Sequence, residues 1–317
     1  SFNTAVGFHS GLAVTTGTYN TLIGGLSGDA LTTGTQNVAV GYNALGAEDT
    51  GSKSVAVGIS ALASQNNDAS NFNVAVGHQA GLSVTTGIEN TLIGSLAGDA
   101  LTDADYNVAL GSAALSSDTL GNRATALGTF ALFSQNFQSA TDNYNVAVGY
   151  AAGNVITTGV QNTLIGGLAG DAITDADYNV ALGYSSLTTN QLGSKSTAIG
   201  TFSLNNQNPA SATDMFNTAV GYAAGGVITT GRYNTIMGGL SGDALTEGSQ
   251  NIAIGYAALT SDTKGSKSIA IGESALYTQN FTTATDTNNV AIGENAGMLV
   301  TTGTNNTFVG ALAGDGT

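Results

Sequence analysis

Apolar and polar positions alternate along this chain over five residues, and the five-residue unit returns at a fixed short spacing. Its clearest form is Asn37-Val38-Ala39-Val40-Gly41: a polar residue, a β-branched one, a small or apolar one, an aliphatic one and glycine. The pattern starts at Asn3, Asn20, Asn37 and Ser54 and continues to Asn289 and Asn306, 18 copies that all close on Gly. The second position is always Thr, Val or Ile, and the fourth is always Val, Ile, Leu or Met. Such residues suit a pleated strand and not a helix. Self-similarity at a fixed short period predicts a solenoid, in which each copy is one supersecondary unit stacked on the next.

The step from Asn3 to Asn20 to Asn37 to Ser54 is constant, which gives a 17-residue coil. Every fourth copy is longer, running Ser54–Phe72, Ala124–Tyr144, Ser196–Phe216 and Ser268–Asn288. Four copies make super-repeats at 3–72, 73–144, 145–216 and 217–288, with a partial one at 289–317. One repeat array over 1–317 is therefore expected, a window of a longer fibre. Copy two carries a larger third residue (Leu22, Leu92, Leu164, Ile236, Phe308) and then Gly-Asp. Copy three ends in a cation (Lys53, Arg123, Lys195, Lys267), and copy four inserts a polar tongue such as Gln135–Asp142. An insertion recurring at one point of a solenoid maps to a loop on one face, often the binding face. Gln135, Asn136, Phe137, Asn206, Gln207, Asn208, Gln279, Asn280 and Phe281 are thus the candidate contact residues.

Each copy fits one coil of a parallel β-structure: strand, Gly bend, a short second segment (Tyr42–Leu45), and a Thr-Thr-Gly return turn. Asn37, Asn73 and Asn145 are expected to stack as side-chain amide ladders that satisfy turn backbone. Gly41, Gly77 and Gly149 are expected at the corners, where positive φ is needed. At about 4.8 Å per rung, 18 coils would build a rod of about 85 Å. The second and fourth positions share one strand face and the third points the other way. Both faces are apolar or small. So short a coil encloses little interior, and the second face is expected to meet another chain, with a trimer as the closed form.

The runs Asn217-Thr-Ala-Val-Gly-Tyr-Ala-Ala-Gly and Asn251-Ile-Ala-Ile-Gly-Tyr-Ala-Ala-Leu resemble the head repeats of trimeric autotransporter adhesins. They are more similar still to the Asn-Thr-Ala-Ile-Gly repeats in shafts of phage tail-fibre-like proteins. The resemblance implies a left-handed, homotrimeric parallel β-roll serving in surface attachment. Adhesin head repeats are shorter than these, and this chain shows no coiled-coil stalk, membrane anchor or chaperone domain.

Composition narrows the functional classes. The net charge is −15 with six basic residues, which argues against nucleic acid, whose phosphates need clustered Lys and Arg, and against anionic membranes. No apolar run is long enough to span a bilayer, so no membrane insertion is expected. The 45 glycines stand without a three-residue period and beside a single proline, which excludes collagen. Absent cysteine leaves no disulfide framework and no thiol nucleophile.

Three chemistries are open. Carboxylates at Asp99, Asp103, Asp105, Asp171, Asp175 and Asp177 could supply calcium with some of its six to eight oxygens; the alternative is Asp as a turn residue after Gly. The aromatics ahead of the leading Asn (Phe2, Tyr19, Phe72, Tyr106, Tyr144, Tyr178, Phe216, Tyr233) could stack on sugars or pack between coils. The cations closing copy three could pair with Asp142, Asp214 and Asp286 of the tongues, a contact worth little if exposed. No catalytic constellation or cofactor motif appears: His9 and His78 are not equivalent, and chance Gly-x-Gly matches are uninformative. The expected role is a non-enzymatic extracellular or virion fibre segment giving reach and multivalent attachment to a cell-surface glycan or receptor. A polysaccharide- or ice-binding solenoid, or a self-assembling filament subunit, is the alternative.

Overall fold

The computed structural model describes residues 2–315, which form an all-β parallel solenoid; among them there is no α-helix. The chain falls into two compact units divided between Thr158 and Gly159. In the first, nine strands run Thr4–Val6, Thr21–Ile23, Val38–Val40, Val55–Val57, Val74–Val76, Thr91–Ile93, Val108–Leu110, Thr125–Leu127 and Val146–Val148. In the second, nine run Thr163–Ile165, Val180–Leu182, Thr197–Ile199, Thr218–Val220, Thr235–Met237, Ile252–Ile254, Ile269–Ile271, Val290–Ile292 and Thr307–Val309. Within each unit, successive strands pair in parallel with equivalent residues opposite one another, as Val38↔Val55, Ala39↔Ala56 and Val40↔Val57.

Only the middle three residues of each five-residue signature are strand, because the chain turns sharply on both sides. Gln36 before the signature has φ 61°, and Gly41 at its end has φ 137°. The ladder nevertheless continues around the coil: Gln36 N–H donates to Thr18 C=O at 3.0 Å and Asn43 N–H to Gly25 C=O at 3.0 Å. The sequence pattern leads one to expect glycine at every corner, but many corners use other residues. Asn43 and Leu45 both take φ 54°, a left-handed conformation that costs a non-glycine residue about 1–2 kcal/mol. The fully buried Leu45 side chain offsets that by the 1.5–3 kcal/mol or so of removing an aliphatic group from water.

The closing glycine has two reasons to be invariant. Beyond its positive φ, a Cβ on Gly41 would lie 2.4 Å from the Gly58 carbonyl oxygen of the next coil, and one on Gly77 would lie 2.4 Å from that of Gly94. The corners stack backbone on backbone, with no room for a side chain.

Alternation resolves the interior. Between the two terminal copies the third position points inward and is fully buried, whether Ala39, Ala56 and Ala75 or the larger Leu22, Leu92, Leu164 and Ile236. The larger residues fit because copy two places Gly opposite: a Cβ on Gly28 would meet Leu22 Cδ2 at 2.8 Å, and one on Gly98 would meet Leu92 Cδ2 at 2.7 Å. The second and fourth positions stay half-buried or exposed. The expectation of two buried faces is therefore met on one side only within a chain.

The leading Asn also points inward and stitches three coils. Asn37 N–H donates to Asn20 Oδ1 (2.9 Å), Asn37 Nδ2 donates to Gly51 C=O (2.8 Å), and Asn37 Oδ1 accepts from Ser54 N–H (2.9 Å). Asn73 repeats the pattern with Gly87 C=O and Asn90 N–H. Asn145 is equally buried, its N–H bonded to Asn143 Oδ1 at 2.9 Å.

Candidate contact surface

The copy-four tongues return onto the preceding coil as short parallel pairs: Thr141–Asp142 on Gly121–Asn122, Thr213–Asp214 on Gly193–Ser194, and Thr285–Asp286 on Gly265–Ser266. The first and shortest tongue makes only the single bridge Ser70 to Ser52. These returns position the tongue and create the side-chain contacts around it.

The tongue does not begin where the sequence suggests. Gln135, Gln207 and Gln279 are fully buried, and Phe137 and Phe281 are only 5% and 7% exposed. They belong to the interior, which corrects their assignment as contact residues. Of the candidates, Asn206, Asn208 and Asn280 are exposed and Asn136 is half-buried, and the outer tongue continues as Gln138–Ala140, Ala210–Ser211 and Thr282–Ala284. The cause is register. In the coils from Asn20 to Ser268 the twelfth residue is buried, so Gln135 completes the coil interior before the insertion starts.

At this twelfth position copies one and two carry aliphatics, such as Val84 and Leu101, whereas copy three carries Glu48, Asp118, Asn190 and Asp262, all fully buried. Asp118 Oδ1 accepts from Gly121 N–H (3.0 Å) and Phe137 N–H (3.2 Å), and Oδ2 accepts from Gln135 Nε2 (2.6 Å). Gln135 Oε1 accepts in turn from Asn145 Nδ2 at 2.9 Å. Asp262 repeats this with Gly265 (3.0 Å), Phe281 (3.0 Å) and Gln279 (2.6 Å). Glu48 accepts from Gly51 N–H (2.7 Å), Gln65 Nε2 (2.9 Å) and Asn71 Nδ2 (3.0 Å). Burial pushes the Glu48 carboxyl above its ordinary value, against the opposing pull of these bonds. The sequence expectations do not include this network, although its signal is present: an acid or amide recurs at position twelve of copy three, and Gln follows at the equivalent place one coil later.

On the surface, the copy-three cations reach the tongues. Arg123 Nε lies 3.0 Å from Asp142, Lys195 Nζ 2.6 Å from Asp214 and Lys267 Nζ 2.6 Å from Asp286. The same cations cover aromatic faces: Lys53 over Phe72 (4.8 Å), Arg123 over Tyr106 (4.8 Å), and Lys195 over Phe216 (5.4 Å). Phe216 stacks on Tyr233 at 5.5 Å and 11°, and Phe2 on Tyr19 at 5.5 Å and 16°. These rings meet neighbours of the same chain on one side and stay exposed on the other, Phe216 at 44% and Tyr233 at 48%.

The structure does not gather the six calcium candidates into one site. Asp105 Oδ1 accepts from Ile88 N–H and Asp177 Oδ1 from Val160 N–H, both at 2.8 Å, so each caps the turn one coil below. Asp99 accepts from the Ser116 hydroxyl, and Asp103 from that of Thr86. Asp171 sits beside Thr188, and burial raises its carboxyl above the ordinary value. Asp175 and Asp177 line an open hollow with Ser194, Asp214, Phe216 and Arg232. Burial also raises Asp177, the largest influence there. Among the described residues no group of three or more His, Cys, Asp or Glu side chains is arranged to hold a metal, and no helix is long and apolar enough to cross a membrane. The sequence matches no protein-family model and no curated protein.

Proposed function

We propose that this chain is a segment of an extracellular or virion fibre, non-enzymatic, built as a left-handed homotrimer and acting by reach and multivalent attachment. The observation that carries the reading is the strand face made by the second and fourth signature positions. Across all 18 copies it holds Thr, Val, Ile, Leu or Met and never a charge. In the single chain Leu110 is 46% exposed, Leu182 42% and Met237 42%. A regular, uncharged face that is aliphatic at the fourth position of every copy is suited to covering by like chains. The exposed outer tongues then recur on each chain, which multiplies weak contacts with a glycan or receptor.

The mass of the purified chain in solution, by analytical ultracentrifugation, tests the assembly. Three times 31.3 kDa is expected; a single-chain mass would sink the trimer.

The lattice-binding alternative has less support. A flat Thr row needs free hydroxyls, yet Thr32, Thr102 and Thr246 donate theirs to carbonyls of the next coil at 3.0–3.1 Å. Measurable inhibition of ice recrystallisation would revive it.

A further inference from the structure

The copy-three acid and the copy-four tongue vary together within this one chain. Asp118 and Asp262 accept a backbone N–H from Phe137 and Phe281, the second residue after the buried Gln. Glu48 instead takes its tongue donor from a side chain, Asn71 Nδ2 at 3.0 Å. In the third super-repeat the second residue after the Gln is Pro209, which has no N–H to give. There the acid is replaced by Asn190. Asn190 Oδ1 accepts from Gly193 N–H at 3.0 Å, and its Nδ2 turns back to Gly193 C=O at 2.6 Å. Gln207 Nε2 donates to Ser196 Oγ at 3.0 Å, as Gln65 and Gln279 do to Ser54 and Ser268, but its distance to Asn190 Oδ1 is 3.5 Å, against 2.6 Å from Gln135 to Asp118 and from Gln279 to Asp262.

The physical reason is donor counting. A buried carboxylate only accepts, and among the described residues no cation pairs with these acids, so each must be satisfied by amides. Asp118 and Asp262 have three such donors each, two backbone and one Gln. Removing the tongue N–H leaves a buried charge short of a partner, whereas Asn needs fewer donors and supplies one of its own.

We infer that the buried acid and the tongue N–H form a latch that holds the base of each tongue onto the coil beneath. Asn190 with Pro209 is a neutral version of the same latch. The latch is independent of what the tongues contact. It makes Asp118, Asp262 and Glu48 positioning residues for the exposed segments above them.

The test is amide hydrogen exchange on the whole chain, read at Thr213 and Met215, whose N–H groups pair the third tongue with Leu192 and Ser194 at 3.1 and 2.9 Å. Asn190→Asp alone is expected to raise their opening about tenfold or more, a change of ~1.4 kcal/mol. Asn190→Asp with Pro209→Ala, which restores an N–H, is expected to recover most of that protection. Unchanged protection in the single variant, or no recovery in the double, overturns the latch.

Discussion

Copies one and two of a super-repeat and copies three and four enclose the same kind of interior by different means. At position twelve the first pair buries Val84 and Leu101, and the second buries Asp118 and Gln135. Both arrangements leave the strands in the same parallel register. Aliphatic burial is tolerant and needs only volume. The polar pair needs every donor and acceptor matched, and it draws those partners from the tongue that follows. Only the polar half of the super-repeat can therefore anchor an insertion.

Exchanging the two means should break the comparison most severely. Leu101→Asp would bury a carboxylate one coil below Asp118, with no Gln assigned to it. A loss above about 4 kcal/mol is expected, seen as a lowered unfolding midpoint. An effect below about 1 kcal/mol would show that the aliphatic half is also open to water. Gln135→Ala is smaller: it strands Asp118 Oδ2 and removes one acceptor from Asn145 Nδ2, for about 1–3 kcal/mol by denaturant titration.

Glu48 sharpens the contrast through pH. Its carboxyl is raised by burial, so the folded state favours the protonated form relative to the unfolded chain. The associated stability is complete below the ordinary value of 4.5 and is lost as pH rises through the folded value. Glu48→Gln should remove that component of the pH dependence, measured as unfolding free energy between pH 4 and 7 or so. A slope unaltered by the variant would assign it elsewhere.

The smallest effect belongs to the surface. Lys267→Ala removes an exposed pair with Asp286 and should cost less than about 1 kcal/mol, shrinking further in high salt. A larger loss would mean that these bridges, and not the buried acids, hold the tongues.

Much of this was legible in the chain alone. The 17-residue coil, the parallel strand, the Asn ladder and the cation–tongue pairs follow from repeated residue types at repeated positions. At the contact residues polarity does not mean exposure. Gln135 and Phe137 look like the start of a polar loop, yet the coil closes only after them. The calcium candidates lie close in sequence, whereas Asp105 and Asp177 each reach a backbone N–H one coil away.

The sequence by itself determined the repeat, because a strand face and a glycine corner are local preferences that recur wherever the same residues recur. Only the tertiary structure decided which polar residues are inside. Burial of Glu48, Asp118 and Gln135 depends on donors supplied from other coils, and the recurrence of Gln 17 residues after the acid becomes a contact only when the coils are stacked.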